Sequence, residues 1–289
     1  MLNLVHLKVL AAVARHGSVT EAARELHYSQ PSVSHHLSRL EAATGAKLVQ
    51  RVGRGIRLTP EGLLLAHRAA EIVGRVDAAA SELAARVGLH AGQVRLAANA
   101  STLSTIVPAA AAALAQAWPG IELSPIERHP VEALQMLRHG EVDVALVFQY
   151  ADAAVEEDIR LLHIGDDSLH LLSRRPDDRL ANHRDSAWIA GCDRCEAELR
   201  AACQREGFTP RITAHSDDIV VVQSLVAAGI GVATQPGLAL QAHHRPDVHA
   251  TEIPGCRRRI HAATYGEPPD PPAVAAVLAA LTEAGAPPD

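Results

Sequence analysis

Gly17-Ser18-Val19-Thr20-Glu21-Ala22-Ala23-Arg24-Glu25-Leu26-His27-Tyr28-Ser29-Gln30-Pro31-Ser32-Val33-Ser34-His35-His36-Leu37-Ser38-Arg39-Leu40 contains two helix starts close together. Gly17 tolerates the left-handed conformation that closes a preceding helix. Ser18 and Glu21 have the S-x-x-E spacing of a capping box, in which each side chain satisfies a backbone N–H of the first turn. Ala22, Ala23 and Leu26 give the short helix one apolar face. Ser29 caps the next helix, and Pro31 falls in its first turn, where a missing N–H costs little. Val33, Leu37 and Leu40 repeat at i, i+4 and i+7, a buried stripe. The opposite face carries Gln30, Ser32, Ser34, His35, Ser38 and Arg39, all short or planar hydrogen-bonding groups. Two short helices, a tight turn and a polar outer face on the second helix make a helix-turn-helix. That second helix would enter a major groove with its N-terminal residues at base edges. The plainer reading, a helical hairpin with a solvated face, loses weight to the residues around it.

Upstream, Leu4, Leu7, Leu10, Ala11 and Ala14 repeat at helical spacing behind Asn3 as N-cap. Downstream, Gly45 ends the second helix. Leu48–Arg51 and Ile56–Leu58 are extended runs joined by turn chemistry at 52–55, a small wing that exposes Arg51, Arg54 and Arg57. Arginine there suits phosphate contact or minor-groove insertion. Thr59-Pro60-Glu61 opens a long helix running to about Arg86. Leu65, Ala69, Ile72, Val76, Ala79 and Leu83 form a heptad seam on it, which an identical chain would cover to give a dimer. Gly88 and Gly92 mark a hinge.

Charge follows the same division. Residues 1–60 hold eight Lys/Arg against three acids, whereas the 289-residue chain has a net charge of −6. A basic head on an acidic body points to a head that meets a polyanion. The chain is 48% hydrophobic but only 2% aromatic, so Ala, Leu and Val must fill the interior. No apolar run of about 18 residues and no secretory leader pattern stand out, so the expected setting is cytoplasmic, with no membrane partner.

Beyond the hinge the pattern alternates strand and helix: strands at 93–98, 121–126, 142–148, 160–164, 169–173, 188–190, 211–214, 230–234, 248–253 and 258–264. Helices are expected at 102–117, 131–139, 195–206, 218–228 and 271–284. The βαβαβ order at the start implies a parallel sheet with right-handed crossovers, and the whole reads as two α/β subdomains.

Residues 1 to 62 resemble the DNA-binding domain of the LysR-type transcriptional regulators. The likeness lies in Gly17-Ser18, Ala22-Ala23, Leu26, Ser29-Gln30-Pro31-Ser32-Val33-Ser34, Leu40-Glu41, Gly45, Leu48, Arg51 and Leu58-Thr59-Pro60-Glu61-Gly62. The family usually has Phe where Leu10 and Val49 stand, and Gln or Arg near His35. The resemblance covers the rest of the chain more loosely, with Leu225–Ala233 similar to a second-subdomain signature. It implies a winged helix-turn-helix at 1–58, a linker helix at 59–88 and an effector-binding domain at 89–289. That domain would have two Rossmann-like subdomains similar to a periplasmic binding protein, I at about 89–162 and 266–289 and II at about 163–265. On this reading Ser18, Thr20, Gln30, Pro31, Ser32, Ser34, His35, Arg39, Arg51, Arg54 and Arg57 meet DNA, and the protein is a homodimer or homotetramer.

In α/β sheets, ligands bind beyond the carboxyl ends of strands, near helix N-termini. Asn99, Ser101 and Thr102 follow the first strand of the body and Gln149 the third. Gly191, His215, Ser216 and Gln235 occupy the matching places in the second subdomain. Their convergence would hold a small polar or anionic effector, although Ser101 and Ser216 could simply cap helices. Cys192-Asp193-Arg194-Cys195 is a C-x-x-C, the spacing of a thiol-based redox or metal-sensing pair. Cys203 reads as a small buried hydrophobe, and Cys256 is distant in sequence and would have to fold back to join a four-cysteine zinc site. No Gly-rich phosphate loop, nucleophile elbow, H-x-x-x-H or H-E-x-x-H occurs, so neither catalysis nor a cofactor is expected. A solute-binding α/β protein with a helical dimerisation head is the remaining alternative.

Overall fold

Capping chemistry sets the helices of the head in a computed structural model that describes residues 2–52, 55–86, 92–150, 159–266 and 268–286. Helix α1 (Leu4–His16) begins where Asn3 Oδ1 accepts from the Val5 amide at 2.8 Å and stops at Gly17, in the left-handed region at φ 61°. Helix α2 (Val19–Glu25) is capped by Ser18. The reciprocal half of the expected box does not form, because Glu21 takes a hydrogen bond from Arg24 at 2.7 Å instead. Helix α3 (Gln30–Thr44) starts at Ser29, with Pro31 in its first turn, and ends at Gly45, φ 71°. Leu7, Leu10, Val13, Ala22, Val33, Leu37 and Leu40 form the core of the three.

Strands β1 (Val49–Val52) and β2 (Gly55–Leu58) pair antiparallel as the wing. Glu41 of α3 binds this hairpin: its Oε1 accepts from the Leu48 and Val49 amides at 2.9 and 3.2 Å, and its Oε2 from Lys47. Helix α4 (Pro60–Arg86) follows Thr59, whose Oγ1 donates to the Lys47 carbonyl and accepts from the Gly62 amide. A Cβ on Gly62 would lie 2.0 Å from the Leu48 carbonyl oxygen, so the linker can cross the wing there only as glycine.

The body runs β3 (Gly92–Ala98), α5 (Ala100–Leu103), α6 (Ile106–Ala117), β4 (Ile121–Glu127), α7 (Pro130–Arg138), β5 (Val144–Gln149) and β6 (Ile159–Ser173). A 3-10 turn at Leu180–His183 leads to β7 (Ala187–Ala190), α8 (Asp193–Arg205), β8 (Arg211–His215), α9 (Ile219–Ala227), β9 (Val232–Pro236), α10 (Gly237–Ala242), β10 (His249–Tyr265) and α11 (Pro272–Gly285). Gly92 opens β3 rather than serving as a hinge, and Gly88 lies outside the described residues. One eight-stranded sheet has the order β4-β3-β5-β10-β6-β9-β7-β8. Parallel groups at either end are joined by the long antiparallel pair β10 and β6.

The four short strands expected at 160–164, 169–173, 248–253 and 258–264 are thus two long ones. Asp166-Asp167 reads as a turn in the sequence, but Asp167 points inward and is buried. Pro254-Gly255 makes a bulge, with Gly255 at φ 74°, where the register shifts between Glu252 and Arg257. One apolar core lies under β3, β5 and the ends of β6 and β10 nearest Ile164 and Ile260, covered by α6 and α11. Two smaller clusters flank β7 and β9. Contrary to the expectation from sequence, Ala100–Ala117 is long and apolar enough by composition to cross a membrane. It is broken between α5 and α6, and Ile106, Val107, Ala110 and Leu114 are buried in the core.

Candidate functional site

On α3, burial and polarity separate cleanly. Val33, Leu37 and Leu40 face the core, while Gln30, Pro31, Ser34, His35 and Arg39 are exposed. Ser32 is half-buried and hydrogen-bonded to the Ser29 hydroxyl at 2.9 Å. Ser18 caps α2 through its hydroxyl oxygen, and Thr20 is exposed beside it. Arg57 is exposed on the wing; Arg54 and the Arg51 side chain lie outside what is described. The α4 seam divides. Leu65 and Ala69 pack into the core of the head, whereas Ile72, Val76 and Leu83 stay exposed at 40%, 42% and 64%.

The body holds a cavity of about 370 Å³ at the carboxyl ends of its strands. Asn99, Ser101, Gly191, Ser216 and Gln235 line it. Thr102 is fully buried behind it, with its hydroxyl on the Asn99 side chain at 2.9 Å. Gln149 pairs with Arg259 at the end of β5, and His215 points to Glu196 at 2.9 Å; neither reaches the cavity wall.

Arg258 organises the wall, and no sequence motif signals it. Its guanidinium is 3% exposed; Nε and Nη2 donate to Asp167 Oδ2 at 2.9 and 2.8 Å, and Nη2 also donates to Ser101 Oγ at 2.6 Å. The plane lies 4.6 Å over the Phe148 ring. Nη1 has no protein acceptor among the described residues. Asn99 donates in turn to Ser101 Oγ. Across the cavity, Gln235 accepts from Gln223 at 3.0 Å and donates to the Ile219 carbonyl, so it is held in place by both ends of its amide. Glu127, Glu132 and Asp217 add acids to the lining, and Arg128 and His129 add basic groups. His129 and Asp217 approach to 3.5 Å.

Cys192 and Cys195 lie on the same wall at the start of α8, with their sulfurs 3.1 Å apart. Hydrogen bonding from the Cys195 thiol holds Cys192 well below the usual thiol range, against the opposing effect of burial. The same contact, together with burial, pushes Cys195 up. Burial also raises Tyr150 far above its ordinary value.

A winged helix-turn-helix with an open polar face, on a chain whose body is an α/β fold around a polar cavity, defines a ligand-responsive DNA-binding protein. Comparison with known proteins agrees. Residues 4–63 match the bacterial regulatory helix-turn-helix protein, lysR family, and residues 88–286 match the LysR substrate binding domain. The chain belongs to the LysR family of DNA-binding transcriptional regulators. It is 30% identical over 260 residues to the HTH-type transcriptional regulator TdfR of Cupriavidus pinatubonensis, covering 86% of each chain. TfdS of the same organism is 29% identical over 267 residues, 88% of each. Among solved structures, a full-length OxyR from Pseudomonas aeruginosa, in a cysteine-to-aspartate form, aligns with TM-score 0.74 at 19% identity, over 97% of this chain and 95% of that one. Full-length CbnR in complex with its target DNA aligns with TM-score 0.67 at 22% identity, over 98% and 100%. At these identities the two structures speak to the fold.

Proposed function

We propose that the chain reads duplex DNA with the N-terminal half of α3 and that the body cavity takes a small polar effector carrying an anionic group. The observation that carries the first part is the split on α3: Gln30, Pro31, Ser34 and His35 stand free on one side while the apolar stripe is buried on the other. Side chains at the start of a recognition helix reach base edges in the major groove. Ser32 faces the bases with them, Ser18, Thr20 and Arg39 hold the backbone, and Arg51, Arg54 and Arg57 of the wing hold phosphates or enter the minor groove. Residues 1–58 form the reading head and 59–88 the linker. Ile72, Val76 and Leu83 take the seam of a second copy, which sets two heads on two half-sites. A DNA partner supports a cytoplasmic setting, with no catalytic step.

In 89–289, the free Nη1 of Arg258 supplies a donor for an anionic group at one end of the cavity. Glu127, Glu132 and Asp217, which also line the cavity, favour hydrogen-bond donors on the rest of the effector. At about 370 Å³ the space fits a metabolite rather than a polymer. Effector binding biases the arrangement of the heads through differential affinity for two states.

In vitro selection from random duplexes with the purified full-length chain tests the head. The expected result is a sequence with two-fold symmetry, and an affinity that falls steeply with salt. Recovery of no enriched sequence would overturn the assignment. A thermal-shift screen of organic acids and amino acids tests the cavity, since a binder raises the melting temperature by mass action.

A further inference from the structure

We propose that Cys192 and Cys195 are a reversible dithiol–disulfide pair that exchanges with low-molecular-weight disulfides through the body cavity. Three observations place the chemistry there. The two sulfurs are 3.1 Å apart in the first turn of α8, about 1 Å from the disulfide length of about 2.0 Å. Both line an open cavity, which admits a small reagent. The pair is also asymmetric: Cys192, at the helix N-cap, is the thiolate side, and Cys195, a turn inside, is the protonated side. The charged groups that face them are Asp217 and His129 at Cys192, and Arg258 and Asp217 at Cys195. Cys203 and Cys256 lack this setting. Cys203 is fully buried and pushed up by that burial to about 12, and Cys256 is buried with Arg205 donating to its sulfur at 2.8 Å.

The exchange runs in two displacements. The Cys192 thiolate attacks one sulfur of the small disulfide, forming a mixed disulfide and releasing a thiolate. The Cys195 thiol passes its proton to that leaving thiolate, and its sulfur then attacks Cys192 Sγ and expels the second thiolate. The two cysteines are together oxidised by two electrons, and the small disulfide is reduced to one thiol, which carries the Cys195 proton, and one thiolate, which takes its proton from water. Oxidation removes the thiolate charge from the wall beside Gly191 and ties down the start of α8. Effector affinity therefore becomes redox-dependent, a consequence that rests on the cavity being the effector site; the exchange itself does not.

The test uses reduced full-length protein equilibrated in a series of oxidised and reduced glutathione ratios, quenched in acid and alkylated with N-ethylmaleimide. Trypsin cuts after Arg194, so the disulfide appears as two peptides that separate only on reduction. Cys192 and Cys195 are expected to lose alkylation together at one midpoint, with Cys203 and Cys256 still reduced. Cys195→Ser is expected to stop at the mixed disulfide. In the reduced protein, iodoacetamide should label Cys192 half-maximally below the ordinary thiol value of about 8.5, and Cys195→Ala should move that midpoint up toward it. If no linked peptides form at any ratio while Cys192 labels as an ordinary thiol, the proposal is wrong. That result would leave DNA selection and effector screening, which need no oxidation, untouched.

Discussion

The head and the body use polar side chains in opposite ways. On α3 the polar residues stand in solvent with few partners, and the apolar stripe behind them carries the packing. Around the cavity the polar residues are buried and bonded to one another: Asn99 to Ser101, Ser101 to Arg258, Arg258 to Asp167, Gln223 to Gln235. A surface left unpaired is free for a partner at no cost to the fold, whereas a buried network is part of the fold and binds through what little it leaves open. Polar substitutions should therefore cost stability in the body and recognition in the head.

The largest test of that contrast is Arg258→Ala. It leaves the 3%-exposed Asp167 without its cation, and removing one partner of a buried pair costs about 3–5 kcal/mol. The urea midpoint of the full chain should fall accordingly. Adding Asp167→Asn should recover part of the loss, because the stranded charge is its main cause; no recovery would mean that Arg258 acts through packing alone.

Asp178 comes next. Burial opposes its ionisation, but hydrogen bonds from Asn182, Ser173, His183 and the Arg179 amide hold its carboxyl far below the usual carboxylate range. The stabilisation from a depressed carboxyl is complete above the unfolded value near ~3.9 and is lost as pH falls through the native one. Asp178→Asn turns a donor toward donors and should cost about 1–3 kcal/mol at pH 7. Its urea midpoint should then fall less than that of the parent chain between pH 5 and about pH 3. Parallel curves would show that the carboxylate is not what holds this loop.

In the head the sensitive position is apolar. Gly62→Ala brings a Cβ to 2.0 Å from the Leu48 carbonyl oxygen. Backbone must shift, at a cost of about 1–3 kcal/mol, and the wing should lose its register on α3 with it. Weakened DNA binding from a residue with no polar group would show that the head depends on how its elements cross.

How much of this can be read from sequence follows the same divide. The head is local: caps, stripe and turn residues lie within a few positions of what they control, so α1 to α4 and the open face of α3 are legible in the order of residues. Glu41 enters the sequence reading only as part of a family likeness, since its bonds to the Leu48 and Val49 amides require knowing where the wing lands. The body cavity is non-local. Ser101 and Arg258 meet across 157 residues and Asp167 and Arg258 across 91, so loop positions follow from fold rules while the arginine that ties them does not. His215 fails as a lining residue for a local reason: strand alternation turns it to the exposed side, toward Glu196. The long strands β6 and β10 escape a sequence reading because charged or Pro-Gly pairs look like turns unless a distant partner or a bulge accommodates them.

The smallest effect on stability should come from Ser34→Ala, and it is the sharpest test of the comparison. Ser34 is exposed on α3, and its side chain makes no hydrogen bond among the described residues; only its carbonyl is used, accepting from the Ser38 hydroxyl at 3.0 Å. Removing the hydroxyl should move the urea midpoint by no more than about 0.5 kcal/mol. On a selected duplex the same change should alter base preference at one position of each half-site by roughly 1–3 kcal/mol, the range for a direct base contact. Arg57→Ala on the wing should instead weaken all sequences alike and lower the slope of log affinity against log salt by about one. If Ser34→Ala also weakens every sequence equally, the hydroxyl holds phosphate and base reading passes to Gln30 and His35. If neither substitution changes DNA binding while the fold stays intact, the free face of α3 is solvated surface, and the contrast between head and body reduces to one of burial.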